Sequence, residues 1–185
     1  MLTLLTLATA APLRIDVTVT HDAKRDRWTA TYVPSEPVAG LWFRRDRHRF
    51  RGERWKTDGD AAFAEARYGE ILLGETDVWT VHFDTDPTNR EKDYKLNLEF
   101  SDGSRLLYTG HLAVHPLVSV PDGVERYGGD VELAWTFRAE GRKIAVLDGL
   151  SDDVLAVEDP TLAREGAFVY VGEIETLRTE RITAF

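Results

Sequence analysis

Apolar and polar residues alternate with a period of two along much of the chain, and this pattern limits its fold more than any other feature. Leu13, Ile15, Val17 and Val19 fall on one side of an extended segment, with polar residues at the positions between them. Such alternation is typical of a strand with one buried face, whereas an amphipathic helix repeats every ~3.6 residues. Further strand candidates are 28–32, 40–44, 78–84, 94–100, 105–109, 131–137, 144–147 and 167–174.

Turn signals separate these strands. A polar segment at 21–26 joins the first two as a hairpin, and Asp102-Gly103 is among the strongest two-residue hairpin signals. Glu140-Gly141 predicts a turn that leads into the strand at 144–147. Many short strands with turns between them are typical of an antiparallel sandwich or barrel.

Helical signals are few. A turn or two of helix is predicted within 58–66, with Asp60 as its N-cap. Residues 159–166 combine a cap, a first-turn proline and a terminating glycine, which predicts one short helix. We therefore predict an all-β fold, an antiparallel β-sandwich or barrel-like structure with one or two short helices.

The first eleven residues, MLTLLTLATAA, form an apolar run that ends in the small-x-small pattern accepted by signal peptidases. A basic start and part of the usual length are missing, so an N-terminal edge strand is the alternative. The segment 115–129 is rich in Pro, Gly and Asp, as at a boundary. We predict a leader over 1–11, a main β-domain over 12–115, and a β-rich part over 116–185 that is either separate or within the same domain.

Charge and composition exclude several classes of function. The net charge of −9 argues against binding to nucleic acid, because an acidic domain repels phosphate backbones. The absence of cysteine excludes disulfides, thiolate zinc sites and a cysteine nucleophile. No segment approaches the ~20 apolar residues that span a bilayer, so we predict no membrane span. Export is predicted from the leader-like run at 1–11.

No complete catalytic or metal motif is present. His111 and His115 have zinc-protease spacing, but Leu112 replaces the glutamate base, and we expect these histidines at the surface or on an edge strand. Residues 149–152 break the hydrolase Gly-x-Ser-x-Gly pattern at its last position. The acidic segment 84–93 offers oxygen ligands for calcium, yet it lacks a glycine and includes two basic residues, which favours a solvated loop. We expect no cofactor and no enzymatic activity.

Arginines are concentrated between two tryptophans, Trp42 and Trp55. If the segment is extended, arginines at alternate positions share a face that can clamp carboxylates or phosphates. The alternative is structural: they pair with the chain's own carboxylates or dock onto an acidic neighbouring domain. The candidate docking or anion-binding residues are Arg45, Arg47, Arg49, Arg51 and Arg54, and the candidate aromatic binding face is Trp42 with Trp55.

Three segments resemble the N-terminal β-rich region of exported gluzincin-type metallopeptidases related to the glycyl aminopeptidase family. They are 28–43 (WTATYVPSEPVAGLWF), 51–55 (RGERW) and 100–111 (FSDGSRLLYTGH). In that family the zinc site lies in a separate, C-terminal domain, and no residue here matches it. The resemblance implies a supporting domain that packs against a peptidase domain.

Two functions follow as expectations. The first is a non-catalytic β-domain associated with an exported metallopeptidase, which should carry a sizeable apolar or arginine-rich docking face. The second is a free-standing module that binds a carbohydrate or peptide through exposed aromatic side chains on a sheet. Burial of all five tryptophans would contradict the second.

Overall fold

The computed structural model describes residues 11–44, 51–67, 69–84, 97–147, 149–157 and 166–173. Within them the chain is all-β, as predicted. Its strands are β1 (Leu13–Asp22), β2 (Arg27–Pro34), β3 (Gly40–Arg44), β4 (Lys56–Thr57), β5 (Ala62–Ala66), β6 (Gly69–Leu73), β7 (Trp79–Asp84), β8 (Asn97–Glu99), β9 (Arg105–Tyr108), β10 (Val114–Val120), β11 (Gly123–Arg126), β12 (Val131–Val146), β13 (Gly149–Val157) and β14 (Phe168–Gly172). Two short helical turns complete the described structure, α1 (Arg51–Arg54) and a 3-10 turn (Thr109–His111).

The larger sheet is organised around the long strand β12. The first half of β12 pairs with β1 in parallel, and its second half pairs with β14 in antiparallel orientation. β13 forms a hairpin with β12 and pairs with both halves. The sheet extends beyond β1 through β2, β7 and β4, and beyond β14 through β9 and β8. The predicted hairpin of β1 with β2 is confirmed, and so is the one turned by Asp102-Gly103 between β8 and β9.

The turn predicted at Glu140-Gly141 is wrong. β12 continues through these residues, and its register with β13 shifts between Arg138 and Lys143. Gly141 has a φ of +70°, and its amide donates a hydrogen bond to Asp153 Oδ1 at 2.6 Å. Glycine therefore serves here to form a bulge within one strand rather than to reverse the chain.

The smaller sheet has the order β11-β10-β3-β6-β5. The helix predicted within 58–66 is wrong, since Ala62–Ala66 is β5 and pairs with β6 over five residues. Alanine and glutamate have high helix propensity, but pairing with β6 and packing of Phe63 against Trp55 and Phe43 outweigh it. The helix predicted over 159–166 falls mostly outside the described residues.

The two sheets pack face to face around one core, so the fold is a sandwich. Tyr32 of the larger sheet meets Phe43 of the smaller one edge-to-face, with ring centroids 5.8 Å apart. The Tyr32 hydroxyl also donates to the backbone oxygen of Leu112 at 2.9 Å. Residues on both sides of position 115 share this structure, because β12 lies beside β1. In the described ranges, no helix is long and apolar enough to span a bilayer.

Candidate functional site

The arginines singled out in the sequence have different surroundings. Arg45, Arg47 and Arg49 lie outside the described residues. Arg54 is exposed at the end of α1. Arg51, in contrast, is only 1% exposed. The structure therefore does not bring the candidate docking residues together on one described surface.

Arg51 belongs to an internal ion pair. Its Nη1 lies 2.8 Å from Glu70 Oε2, and the two side chains are 1% and 5% exposed. Glu70 Oε1 accepts a second hydrogen bond from the Gly52 amide at 3.0 Å, and Arg51 Nη2 donates to the backbone oxygen of His111 at 2.9 Å. The pair thus connects α1 to β6 and to the 3-10 turn. Arg51 therefore pairs with one of the chain's own carboxylates.

The two tryptophans of the predicted aromatic face do not form one. Trp55 is buried in the core, where its ring stacks on Phe83 at 4.7 Å. Trp42 is half-buried, and the Arg126 guanidinium lies 4.9 Å from its ring centroid. The other tryptophans, Trp28, Trp79 and Trp135, are also buried. Four of the five tryptophans therefore present no surface to a ligand.

The histidines and acidic residues considered as metal ligands are not grouped in the described part of the chain. His111 is buried at the end of the 3-10 turn, so the expectation of a surface or edge position is wrong for it. His115 is half-buried on β10, which pairs with β3 on one side and β11 on the other. Of the acidic segment 84–93, only Asp84 is described, and it pairs with Arg27 at 3.3 Å. In the part of the chain that the structure describes, no three His, Asp or Glu side chains are grouped to hold a metal ion.

A partly buried polar cluster lies where the β1–β2 turn meets β9. His21 Nε2 is 3.3 Å from Asp26 Oδ1, and Arg105 Nε donates to the same oxygen at 3.0 Å. The ring of His21 packs on Trp28 at 4.5 Å. Burial lowers the pKa of His21 below its ordinary value, although the Asp26 carboxylate opposes this. None of these contacts involves a nucleophilic side chain. We therefore interpret the cluster as a structural link between the two halves of the sheet.

The most unusual surface is the outward side of the sheet from β8 to β13, which we call the apolar face. In register across five strands, directly opposed outward residues form one apolar row. The row consists of Leu98, Leu106, Tyr170, Ala145 and Leu150. The residues between them along the strands, such as Leu107, Val169 and Ile144, point into the core and are buried. Next to the row, β9, β12 and β14 therefore carry apolar residues on both sides.

Three exposed side chains flank this row: Phe168 (57%), Leu147 (52%) and Phe100 (42%). Leu150, within the row, is itself 46% exposed. Phe168 packs against Tyr108 with ring centroids 5.2 Å apart, and Phe100 lies 6.1 Å from Tyr170. Contiguous exposed apolar surface of this kind is typical of an interaction site, whereas single exposed apolar residues are ordinary.

The outward side of the other half of the same sheet is polar. Threonines from four adjacent strands stand directly opposite one another there: Thr136, Thr18, Thr31 and Thr80. The hydroxyl oxygens of Thr31 and Thr80 are 3.4 Å apart. The row of apolar residues is therefore confined to one half of the sheet.

Sequence reasoning predicted a sizeable apolar or arginine-rich docking face but did not locate the apolar face, although one signal for it was present. Phe168-Val169-Tyr170-Val171 is apolar at every position and does not alternate. A strand of this kind predicts that both of its faces are covered. The structure shows the core on one face of β14 and the apolar face on the other.

Comparison with known proteins leaves the family open. No protein-family model matches this chain, and no curated protein matches it. The resemblance to the gluzincin-associated region therefore stands on the three short segments alone.

Proposed function

We propose that this chain is a non-catalytic β-domain that binds another protein domain through the apolar face. The observation that carries the proposal is the row of five opposed apolar residues, flanked by the exposed side chains of Phe168, Leu147 and Phe100. Burying exposed apolar surface in an interface contributes about 25 cal/mol per Å². A partner that covers this face gains that energy without disturbing the fold.

The chemistry of the face favours a protein over a carbohydrate. Sugar rings stack on exposed aromatics but also need polar groups that bind their hydroxyls, and Leu106, Ala145 and Leu150 offer none. The tryptophans that a carbohydrate module would use are mostly buried.

The face, rather than the sheet edge, is the proposed contact. Among the described strands, β13 pairs only with β12 and so forms an edge. That edge carries Asp152 and Asp153, and Asp153 sits at the irregularity with a φ of +61°. Charges and bulges on an edge disfavour the addition of another strand.

The partner we propose is the peptidase domain of an exported gluzincin-type metallopeptidase. The support for this class is the sequence resemblance, and the third resembling segment, 100–111, supplies Phe100, Leu106 and Tyr108 to the apolar face. Export is proposed from the leader-like run at 1–11.

Titration calorimetry against a purified zinc-peptidase domain of that family tests the proposal. In Leu150→Ser/Phe168→Ser the fold should persist, because both side chains are exposed, and affinity should fall at least about tenfold, the effect of losing ~1–2 kcal/mol at an interface centre. Val33→Ser/Val124→Ser is the matched control, since both valines are exposed elsewhere, at 41% each. Equal binding by the two double variants, or no binding by the wild type, would contradict the proposed docking.

A further inference from the structure

The outward side of the smaller sheet, which we call the Trp42 face, is separate from the apolar face. Leu41 and Phe43 of β3 are fully buried in the core, so the residues that alternate with them point outward. Residues directly opposed across antiparallel strands share one side of a sheet, and the register extends this face over all five strands. Its two main rows are Arg126, Leu117, Gly40, Leu73 and Ala62, and His115, Trp42, Ile71 and Ala64.

Glycines let the large side chains of this face lie flat against the sheet. A methyl group added to Gly40 would lie 2.9 Å from Leu73 Cδ2 and 3.4 Å from Leu117 Cδ1, so the two leucines converge over Gly40. The Trp42 ring lies over Gly69, where an added methyl would be 2.6 Å from Trp42 Nε1. The face is therefore a broad surface of aromatic and aliphatic carbon without a protruding side chain at these two positions.

Much of this carbon surface is open to a partner. Trp42, Ile71 and Leu73 are half-buried and lie outside the core between the sheets. Ala62 and Ala64, on the edge strand β5, are exposed. A contiguous surface of this kind is typical of an interaction site, whereas scattered apolar residues are not.

The charged groups of the Trp42 face are cationic. The Arg126 guanidinium lies 4.9 Å from the centroid of the Trp42 ring, and Arg44 is exposed at the end of β3. Among the described residues, no carboxylate pairs with either guanidinium, whereas Arg27 pairs with Asp84. The outward positions of the five strands include no aspartate or glutamate, although the whole chain has a net charge of −9. This side of an acidic protein therefore complements a negatively charged surface.

We propose that the Trp42 face binds an acidic segment of a partner protein that also carries bulky apolar side chains. Carboxylates of the segment pair with Arg44 and Arg126, and its apolar side chains cover Trp42, Ile71 and Leu73. The guanidinium of Arg126 is already held against an aromatic ring, which lowers the ordering cost of the pairing. This contact is additional to the proposed docking function and does not depend on it. Because the two faces lie on opposite sides of the sandwich, both partners can bind at once.

Other occupants fit this face less well. A second copy of the chain, in a symmetric contact, would place one cationic face against another. An anionic membrane is recognised by clusters of roughly four to eight basic residues, more than Arg44 and Arg126 supply. A protein segment needs only a few carboxylates beside its apolar side chains, which matches the composition of the face.

Titration followed by ¹H–¹⁵N NMR tests the proposal with three peptides. The first is acetyl-Glu-Leu-Glu-Phe-Leu-Glu-amide, the second has lysine in place of each glutamate, and the third has serine in place of leucine and phenylalanine. We expect saturable shifts of the amides of β3 and β6 and of the Trp42 indole N–H with the first peptide. The other two should bind at least about fivefold more weakly, because each lacks one of the two complementary features. Added salt should weaken binding of the first peptide, since the ion pairs are exposed.

Arg44→Gln/Arg126→Gln should weaken binding of the first peptide roughly five- to tenfold, as expected for two partly exposed ion pairs. Lys24→Gln/Arg138→Gln is the matched control, because it removes the same charge at exposed positions outside the Trp42 face and should leave the affinity unchanged. Equal weakening in both double variants, shifts confined to the apolar face, equal binding of the lysine or serine peptide, or no shift with any peptide would overturn the proposal. Binding to phosphatidylglycerol vesicles in place of the first peptide would overturn it as well.

Discussion

Glu70→Ala is the substitution whose effect the structure defines best. It removes the carboxylate 2.8 Å from Arg51 Nη1 and leaves the guanidinium 1% exposed. It also deprives the Gly52 amide of its acceptor. Arg51 keeps its hydrogen bonds to the backbone oxygens of Arg44 and His111.

Removing one partner of a buried ion pair costs about 3–5 kcal/mol, because the remaining charge is left uncompensated in a medium of low polarity. We expect the free energy of unfolding to fall by about 4 kcal/mol in Glu70→Ala. For a chain of this size each kcal/mol corresponds to roughly 2–4 °C, so Tm should fall by roughly 8–16 °C. Arg51→Met/Glu70→Leu should recover part of this loss, since neither charge is then buried.

Urea unfolding followed by tryptophan fluorescence measures these differences. Asp16→Ala is the matched control, because Asp16 also lies 2.8 Å from an arginine, Arg14, but both side chains are exposed, at 58% and 44%. An exposed pair contributes at most about 1 kcal/mol. If Glu70→Ala destabilises the protein no more than Asp16→Ala does, burial is not what gives the Arg51–Glu70 pair its importance, and the reasoning fails.

Two further predictions concern the larger sheet. The pKa of His21 is lowered chiefly by burial, so the unfolded chain binds a proton at this site more readily than the folded one. The free energy of unfolding should therefore be at its full value above about pH 6.5 and should decline as the pH falls below it. His21→Phe should reduce the decline in Tm between pH 7.5 and 5.5, while His115→Gln leaves it unchanged. The same dependence of Tm on pH in the wild type and both variants would contradict the assignment of the decline to His21. Gly141→Ala should lower the free energy of unfolding, measured with urea, by about 1 kcal/mol because φ at this position is +70°. No neighbouring atom lies near the added methyl, so the backbone conformation and not a steric clash causes the loss. Gly128→Ala, which also meets no neighbour, should cost less, and equal costs would show that the bulge conformation is not responsible.

Local patterns predicted much of the larger sheet and little of the smaller one. Alternation located β1, β2 and β7 because each buries one face, and Asp102-Gly103 marked its hairpin through the φ of +80° at Gly103. β5 was assigned to a helix because residues 61–66 have helix-forming composition, while the partner strand β6 that fixes them as a strand follows later in the chain.

The candidate sites depended on pairings that no local pattern contains. Arg51 was recognised as unusual, but its partner Glu70 is brought to it by the pairing of β3 with β6 and the position of α1. The apolar face depends on the register of five strands, and only the uninterrupted run 168–171 indicated it beforehand. The sequence analysis also assigned Trp42 and Trp55 to one binding face. Their burial differs, because Trp55 packs against Phe43 and Phe83 in the core.

The parallel pairing of β1 with β12 has a consequence for folding kinetics. On the side of β1 away from β2, Leu13 pairs with Val131, which is synthesised much later. The β1–β2 hairpin can therefore form early, while the other edge of β1 stays unpaired until β12 is made. Contacts between such distant parts of a chain slow folding, and an unpaired strand edge invites association with other chains in the meantime. Synthesis that halts before β12 is complete should therefore give a product that aggregates rather than a smaller folded unit.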